Sequence, residues 1–166
     1  EQWLADQGFV VVTVDGRGTP NRGRAWERAI RSDLADAAVE DHVRGLRELV
    51  QRHPEMDADR IGVTGWSFGG YYTLMALERA PGTYRAGVAG APVVDWLDYD
   101  TFYTERYLGL PGADSAAYAR SSALTDAATL SRPLLVIHGT ADDNVYFFNS
   151  LKLADALNRA GRPWSM

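Results

Sequence analysis

The sequence predicts an α/β protein with a mostly parallel sheet and helices on both faces. One alternating pattern supports this class. Short apolar runs, several rich in β-branched residues, alternate along the chain with longer stretches whose apolar residues recur at helical spacing. Strands that alternate with helices are joined by right-handed crossovers, which make neighbouring strands parallel. In such a sheet, reactive side chains gather in the loops that follow the carboxyl ends of the strands.

The first four elements are predicted as two strands, each followed by a helix. Residues 9–14 are continuously apolar and mainly β-branched, which is typical of a strand covered on both faces. Residues 32–51 place apolar side chains at helical spacing, and Ser32 or Asp33 can cap this helix. Residues 60–65 predict a second short strand. Residues 68–80 then predict a helix that ends before a Pro-Gly pair.

The second half of the chain continues the same alternation. Residues 84–91 predict a third strand, which Pro92 ends, and residues 95–129 form an aromatic stretch that is irregular or short-helical. Residues 132–138 predict a fourth strand. Residues 145–160 predict a last helix, for which Asp143 or Asn144 is the expected cap and Gly161 the expected end.

Composition excludes several functions. The net charge of -5 without a basic block is a poor match to nucleic acid or an anionic membrane, so neither partner is expected. The chain contains no cysteine, which excludes disulfides, thiolate metal sites and a cysteine nucleophile. No histidines or carboxylates show metal-ligand spacing, and the longest apolar run is too short to span a bilayer. We therefore expect neither a metal nor a cofactor.

One motif in the sequence indicates a catalytic function. Gly65-Trp66-Ser67-Phe68-Gly69 matches G-x-S-x-G and lies between a predicted strand and a predicted helix, as the nucleophile elbow of α/β-hydrolases requires. There Ser67 is the candidate nucleophile, and the Phe68 amide, at the helix start, is a candidate oxyanion donor. The alternative is that Ser67 merely caps the helix at an ordinary glycine-rich turn.

A serine nucleophile needs a base and an orienting carboxylate. The chain order in α/β-hydrolases is Ser, acid, His, and the loop after the fourth predicted strand is where the acid belongs. Asp142 is the preferred acid, because Asp143 lies nearer the helix start and suits a capping role. The alternative for Asp142 is an ordinary loop carboxylate.

The base is missing from the expected position. His42 and His53 precede Ser67 and are interpreted as surface or packing residues, and His138 precedes Asp142. We interpret His138 as a strand-end histidine bonded to backbone, and we expect the catalytic histidine to lie beyond Met166.

The pattern as a whole resembles the catalytic domain of the prolyl oligopeptidase family of serine peptidases, in particular its dipeptidyl peptidase IV-like branch. The matching segments extend through most of the chain. They are VDGRG at 14–18, VED at 39–41, GWSFGGY at 65–71, APV at 91–93, YDTFYTERY at 99–107 and HGTADDNV at 138–145.

The resemblance implies an α/β-hydrolase fold and a role for each matching residue. Ser67 matches the nucleophile, Asp142 the acid, and the Phe68 amide the oxyanion donor. Asn144 matches a polar contact to the substrate backbone. The proline-sized pocket is implied to comprise Val93, Trp96, Tyr99, Tyr103 and Val145. The alternative for the tyrosines is ordinary core packing. Trp66 faces substrate or packs beside the elbow, and both options stay open.

The resemblance also implies what lies elsewhere. We expect residues 1–166 to be the central part of a catalytic domain that is incomplete at both ends. A β-propeller and an oxyanion tyrosine would precede them, and the histidine segment would follow. The expected activity is a serine peptidase that releases dipeptides or tripeptides after Pro or Ala from a peptide substrate, with the 166 residues inactive alone. The compartment stays open, and a homodimer of the parent protein is one option.

Three other functions remain as alternatives. The first is another α/β-hydrolase, such as an esterase or acyl-peptide hydrolase, and the second is a non-catalytic binding module of hydrolase fold. The third is nucleotide binding at Gly16-Arg17-Gly18. Asn21 occupies the position of the third glycine that a dinucleotide site needs, so Asp15 and Arg17 are better explained as a structural turn pair.

Overall fold

The computed structural model describes residues 1–166 and contains a three-stranded sheet together with short and long helices. The strands are β1 (Gly62–Trp66), β2 (Ala86–Gly90) and β3 (Leu134–Ile137). The helices are α1 (Gln2–Asp6), α2 (Arg24–Glu27), α3 (Asp36–Arg52), α4 (Phe68–Arg79), α5 (Thr101–Leu108), α6 (Ser115–Ser121), α7 (Ala123–Asp126) and α8 (Phe148–Arg159). Three 3₁₀ turns complete the chain at Arg28–Ile30, Trp96–Asp98 and Ala127–Thr129.

The sheet is parallel throughout, in the order β1-β2-β3. Thr64 of β1 lies opposite Val88 of β2, which lies opposite Leu135 of β3. Each pair of neighbouring strands is joined through helices, as parallel strands require. The predicted α/β class is therefore confirmed, as are the strands expected within 60–65, 84–91 and 132–138. The carboxyl ends of all three strands meet at one edge of the sheet.

One predicted strand is wrong. Residues 9–14 form no strand, and the side chains of Phe9 and Val10 are 64% and 59% exposed. The run has strand-like side chains, but a strand also needs a hydrogen-bonded neighbour. None of the three strands pairs with this segment, so its backbone lacks the hydrogen-bonded neighbour that a strand needs.

Helix α4 covers one face of the sheet. Tyr71, Leu74 and Leu77 of α4 are at most 1% exposed and lie at the centre of the core. The helix comes close because Gly87 of β2 has no side chain: a Cβ there would lie 2.6 Å from the Leu77 side chain. On the opposite face, the large side chains of β1 and β3 stay exposed, namely Trp66 at 61%, Leu135 at 38% and Ile137 at 45%.

The helix ends show which capping residues were assigned correctly. Helix α3 begins at Asp36 with Ala35 at its N-cap position, and Oδ1 of the preceding Asp33 accepts from the N–H groups of Ala35 and Asp36, so Asp33 satisfies the first amide of the helix. Gly161 ends α8 with φ of 63°, also as expected. Helix α8 begins at Phe148, later than expected, and neither Asp143 nor Asn144 caps it. No helix is long and apolar enough to cross a membrane.

Candidate active site

Ser67 occupies a strained turn between β1 and α4. Its φ of 58° and ψ of -114° lie where few residues other than glycine are found. Two backbone hydrogen bonds hold this conformation: Ser67 N–H donates to the Gly90 carbonyl at 2.9 Å, and Tyr71 N–H donates to the Ser67 carbonyl at 3.0 Å. The Ser67 side chain makes no capping bond. The turn therefore leaves the hydroxyl free, which an ordinary helix cap would not.

Glycines allow this turn to form. A Cβ on Gly65 would collide with the carbonyl of Gly69, and a Cβ on Gly70 would collide with the carbonyl of Gly90. Both obstacles are backbone atoms, which cannot rotate away as a side chain can. Gly69, by contrast, has nothing within 4 Å of the corresponding position. Two of the three glycines around Ser67 are thus required by close approach of backbone segments.

The Phe68 N–H is free to bind a ligand. As the first residue of α4 it has no helical acceptor, and it donates to no other backbone or side-chain group. It points along the axis of a twelve-residue helix, whose N-terminus favours negative charge. The Phe68 ring packs against Tyr71 and Trp96, with ring centroids 5.5 and 6.0 Å away. The side chain anchors the turn while the amide remains available.

Asp142 lies in the loop after β3 and has one oxygen committed to the loop itself. Its Oδ1 accepts from the N–H groups of Asn144 and Val145, at 3.1 and 3.0 Å. Its Oδ2 lies 3.5 Å from Nε2 of His138, and the side chain is 24% exposed. Asp143 is exposed and makes no such bonds. The geometry therefore makes Asp142 the fixed carboxylate of this loop, with one oxygen free for a further partner.

None of the three histidines is placed to serve Ser67. The His138 ring is fully buried, and its Nε2–H donates to the Val145 carbonyl at 2.8 Å. His42 packs on Tyr72 with centroids 4.7 Å apart, and burial lowers its pKa. His53 lies beside Glu55 at the end of α3, with Nδ1 3.1 Å from a carboxylate oxygen. The interpretation of His138 as a strand-end histidine bonded to backbone is confirmed.

Three of the residues expected to form a proline-sized pocket, Trp96, Tyr99 and Tyr103, make a continuous aromatic cluster after β2. Trp96 is 1% exposed and stacks on Tyr103, with centroids 5.8 Å apart and planes 15° apart. Tyr99 meets both rings edge-on, at 5.7 and 5.5 Å. Its hydroxyl donates to Asn144 Oδ1 at 3.2 Å, which ties the cluster to the Asp142 loop. Burial raises the pKa of Tyr103 to about 12, so its hydroxyl stays neutral.

The residues expected to form the pocket differ in how much of each side chain is exposed to solvent. Val93, Trp96 and Val145 are at most 2% exposed and can only form the floor of a site. Tyr99 and Tyr103 are partly exposed and can therefore be reached from solvent. Trp66 is not part of the cluster: its ring lies over Gly90, where a Cβ would overlap it, on the uncovered face of the sheet.

Sequence reasoning missed a residue that joins the two halves of the site. Asn149 of α8 is fully buried, and its Oδ1 accepts from the N–H groups of Val94 and Asp95, at 2.8 and 3.2 Å. These bonds hold the loop after β2 against the helix after the Asp142 loop. A polar residue on the apolar face of the last predicted helix was the available signal. Ala91, which follows β2 with a positive φ of 38°, could not have been recognised as unusual from the sequence.

The glycine-rich turn at residues 16–18 is held by ion pairs from α3. The Arg17 guanidinium donates to both oxygens of Asp41, at 2.8 to 3.0 Å, and to Glu40 at 2.7 Å. Arg17 holds the pKa of Asp41 below its ordinary value. The expected pairing of Arg17 with Asp15 is therefore wrong, because Glu40 and Asp41 of α3 bind the guanidinium and Asp15 does not.

A cavity of about 640 Å³ lies apart from Ser67. Its lining is strongly basic and comprises Gly18, Pro20, Arg24, Glu27, Arg28, Arg31, Arg106 and Tyr107. The ring of its lining residue Tyr107 lies 5.0 Å, between centroids, from that of Tyr103 in the aromatic cluster. Neither Ser67 nor Asp142 lines this cavity.

Comparisons with known proteins agree with this geometry. A model of the prolyl oligopeptidase family matches residues 1–166. The chain is 42% identical to dipeptidyl peptidase 8 of Homo sapiens over 166 residues, which cover 98% of this chain and 18% of that protein. It is 44% identical to a probable dipeptidyl-aminopeptidase B of Metarhizium robertsii over 157 residues, covering 93% of this chain and 17% of the relative.

A solved structure also superposes closely. The crystal structure of Porphyromonas gingivalis dipeptidyl peptidase 4 matches with a TM-score of 0.87 and 43% sequence identity, over 92% of this chain and 22% of that one. The chain thus spans about a fifth of the length of the relatives it matches.

Proposed function

Because the chain belongs to the prolyl oligopeptidase family, we propose that the protein carrying it is a serine peptidase that releases dipeptides after Pro or Ala. The resemblance to the dipeptidyl peptidase branch is confirmed by relatives that are named dipeptidyl peptidases. Those names favour dipeptides over the tripeptides that the sequence alone left open. The substrate is then a peptide with a free N-terminus.

The observation that carries the proposal is the strained backbone of Ser67. Its φ of 58° at the junction of β1 and α4 leaves the side chain without a capping bond. Strain of this kind persists only where the surrounding structure enforces it, and it is concentrated at functional sites. Here it presents a hydroxyl beside a free amide, which is the arrangement that acyl transfer needs.

In the proposed mechanism, Ser67 Oγ attacks the scissile carbonyl while a histidine takes the hydroxyl proton. The carbonyl oxygen becomes an oxyanion, which the Phe68 N–H stabilises. The histidine then gives its proton to the leaving amine as the carbon–nitrogen bond breaks, and water hydrolyses the acyl-enzyme by the same steps. Asp142 orients the histidine and stabilises its charged form.

The substrate sits, in this proposal, against the aromatic cluster. A prolyl ring is flat and rigid enough to pack on the partly exposed Tyr99 and Tyr103, above the floor of Val93, Trp96 and Val145. Asn144 would contact the substrate backbone from the Asp142 loop. Trp66 lies on the uncovered sheet face, so we assign it to packing beside the elbow rather than to this pocket.

The base is proposed to come from outside these 166 residues, along with a β-propeller and an oxyanion tyrosine. Support comes from the engagement of His138 and from the absence of any histidine nitrogen within hydrogen-bonding distance of Ser67. Without a base, only residual catalysis from the oxyanion donor and binding remains. Residues 1–166 alone are therefore expected to be inactive.

The test uses the full-length protein with Gly-Pro-anilide and with short acyl esters. The proposal expects efficient release of the anilide, labelling of Ser67 by a fluorophosphonate, and loss of turnover in a folded Ser67→Ala variant. Faster cleavage of the esters would indicate an esterase or acyl-peptide hydrolase instead. A protein whose Ser67 is never labelled would be a non-catalytic module.

A further inference from the structure

We propose that His138 is a positioning residue that holds the Asp142 loop in its active geometry. It is not the catalytic base. The inference rests on the proposed function, because it concerns how the acid of that site is oriented. It starts from a buried, fully bonded imidazole that the mechanism above leaves without a role.

The acid loop needs an anchor. Five of the seven residues from 139 to 145 are exposed, so the backbone that carries Asp142 lies largely in solvent. The bonds from Asp142 Oδ1 to the N–H groups of Asn144 and Val145 shape a local turn. These bonds are internal to the loop and do not fix it relative to the sheet or to α8.

His138 supplies that anchor. It directly follows β3, and its side chain is fully buried beneath the loop. Nε2 lies 2.8 Å from the Val145 carbonyl and 3.5 Å from Asp142 Oδ2. Nδ1 lies 2.7 Å from the Ser150 hydroxyl of α8. One ring therefore connects the end of the strand, the acid loop and the following helix.

The partners determine which nitrogen carries the proton. A carbonyl can only accept, so Nε2 must be the protonated nitrogen that donates to Val145. In the neutral ring Nδ1 is then an acceptor, and the Ser150 hydroxyl donates to it. Ser150 is 1% exposed, so no water competes for this bond. The Phe147 ring meets the imidazole edge-on at 5.5 Å and limits its rotation.

The consequence concerns Asp142 Oδ2. Oδ1 is already bonded twice, so Oδ2 is the oxygen left to receive the N–H of the catalytic histidine. The Nε2–H of His138 fixes the end of the same turn through Val145 and presents a positive dipole 3.5 Å from Oδ2. Without it the turn would shift, and a displacement of about 1 Å in a catalytic group can cost about 100-fold in rate.

The test compares His138→Leu with His138→Gln in the full-length protein. Leucine has a similar volume but no donor, whereas the glutamine amide places an N–H near the position of Nε2. For His138→Leu we expect a fall in kcat of about 10- to 100-fold per active site, with KM within about threefold, because only orientation of the acid is lost. His138→Gln should recover most of that loss.

Active sites are counted by fluorophosphonate titration, so that unfolded protein does not lower kcat. His42→Leu is the matched control, since it removes a half-buried histidine outside the site and should leave kcat per titrated site unchanged. If His138→Leu does not fold, Ser150→Ala takes its place. That variant removes the donor to Nδ1 and should lower kcat more than twofold at unchanged KM.

The inference is overturned if kcat per titrated site is normal in His138→Leu and in Ser150→Ala, or if glutamine restores nothing that leucine loses. Failure of the proposed function would look different. In that case Ser67→Ala or Asp142→Asn would retain turnover, whatever the His138 variants do.

Discussion

Glu78 is a carboxyl group buried without a partner, and its removal should stabilise the protein in a pH-dependent way. It lies in α4, is 7% exposed, and its Oε2 has no hydrogen-bond partner. Burial, together with the nearby Asp126 and against the opposing charge of Arg79, raises the pKa of Glu78 to about 9. The folded protein therefore holds this side chain protonated at neutral pH.

The magnitude follows from the two pKa values. In the unfolded chain Glu78 titrates near its ordinary pKa of 4.5, so folding must protonate it at any higher pH. Because the folded pKa is raised, the stability it contributes is complete below about pH 4.5 and is lost as pH rises toward 9. At 1.36 kcal/mol per pH unit, the loss at pH 7 is about 3 kcal/mol.

Glu78→Gln should remove this loss, because the amide is neutral at every pH and nearly isosteric with the protonated acid. We expect the variant to match the wild type near pH 4.5 and to be about 3 kcal/mol more stable at pH 7. Native-state amide hydrogen exchange of peptides from α4, compared at equal pH, measures this locally even in a protein of several domains.

Glu48→Gln is the control. Its side chain is 58% exposed and pairs with Arg52 at 3.3 Å, so its effect should stay within about 0.5 kcal/mol at every pH. A Glu78→Gln advantage that is the same at pH 5 and pH 8, or a variant that is less stable throughout, would show that Glu78 does not titrate as argued.

Three further predictions concern the site. Gly70→Ala forces a Cβ into backbone and should cost at least about 2 kcal/mol and abolish fluorophosphonate labelling, whereas Gly69→Ala has open space and should label normally; equal labelling of the two would contradict this. Tyr99→Phe loses its bond to Asn144 and should lower kcat/KM for Gly-Pro-anilide about threefold to tenfold; an unchanged value would exclude a role for that bond. Asn149→Ala leaves the buried N–H of Val94 and the partly buried N–H of Asp95 unpaired, and it should lower the unfolding free energy by about 2 to 4 kcal/mol in urea titration. A smaller loss would mean that water replaces the amide.

A candidate site could be proposed from the sequence because the elements that carry it depend on short-range pattern. The periodicity of α3 and α4 and three of the four predicted strands are visible in windows of a few residues. The elbow needs only Ser67 between a strand and a helix, with glycines where backbone segments approach closely. Asp142 could be proposed as the acid because it follows β3, and the rule about the carboxyl ends of parallel strands applies to any such loop.

The predictions that were wrong concern contacts between residues distant in the sequence. Residues 9–14 have the side chains of a strand, yet pairing depends on a neighbour that sequence pattern does not supply. The partner of Arg17 was misassigned to Asp15 because the true partner, Asp41, lies 24 residues away. Local pattern cannot report such contacts.

The α/β class and the family follow from the sequence alone, and the sequence also proposed Ser67 as the nucleophile and Asp142 as the acid. Only the tertiary structure decided that His138 is bonded through both nitrogens, that Asn149 joins two loops, and that Glu78 is buried without a partner. Secondary structure and motifs follow from interactions between residues near in sequence. Burial and hydrogen bonding of a given side chain depend on elements that meet only when the chain has folded.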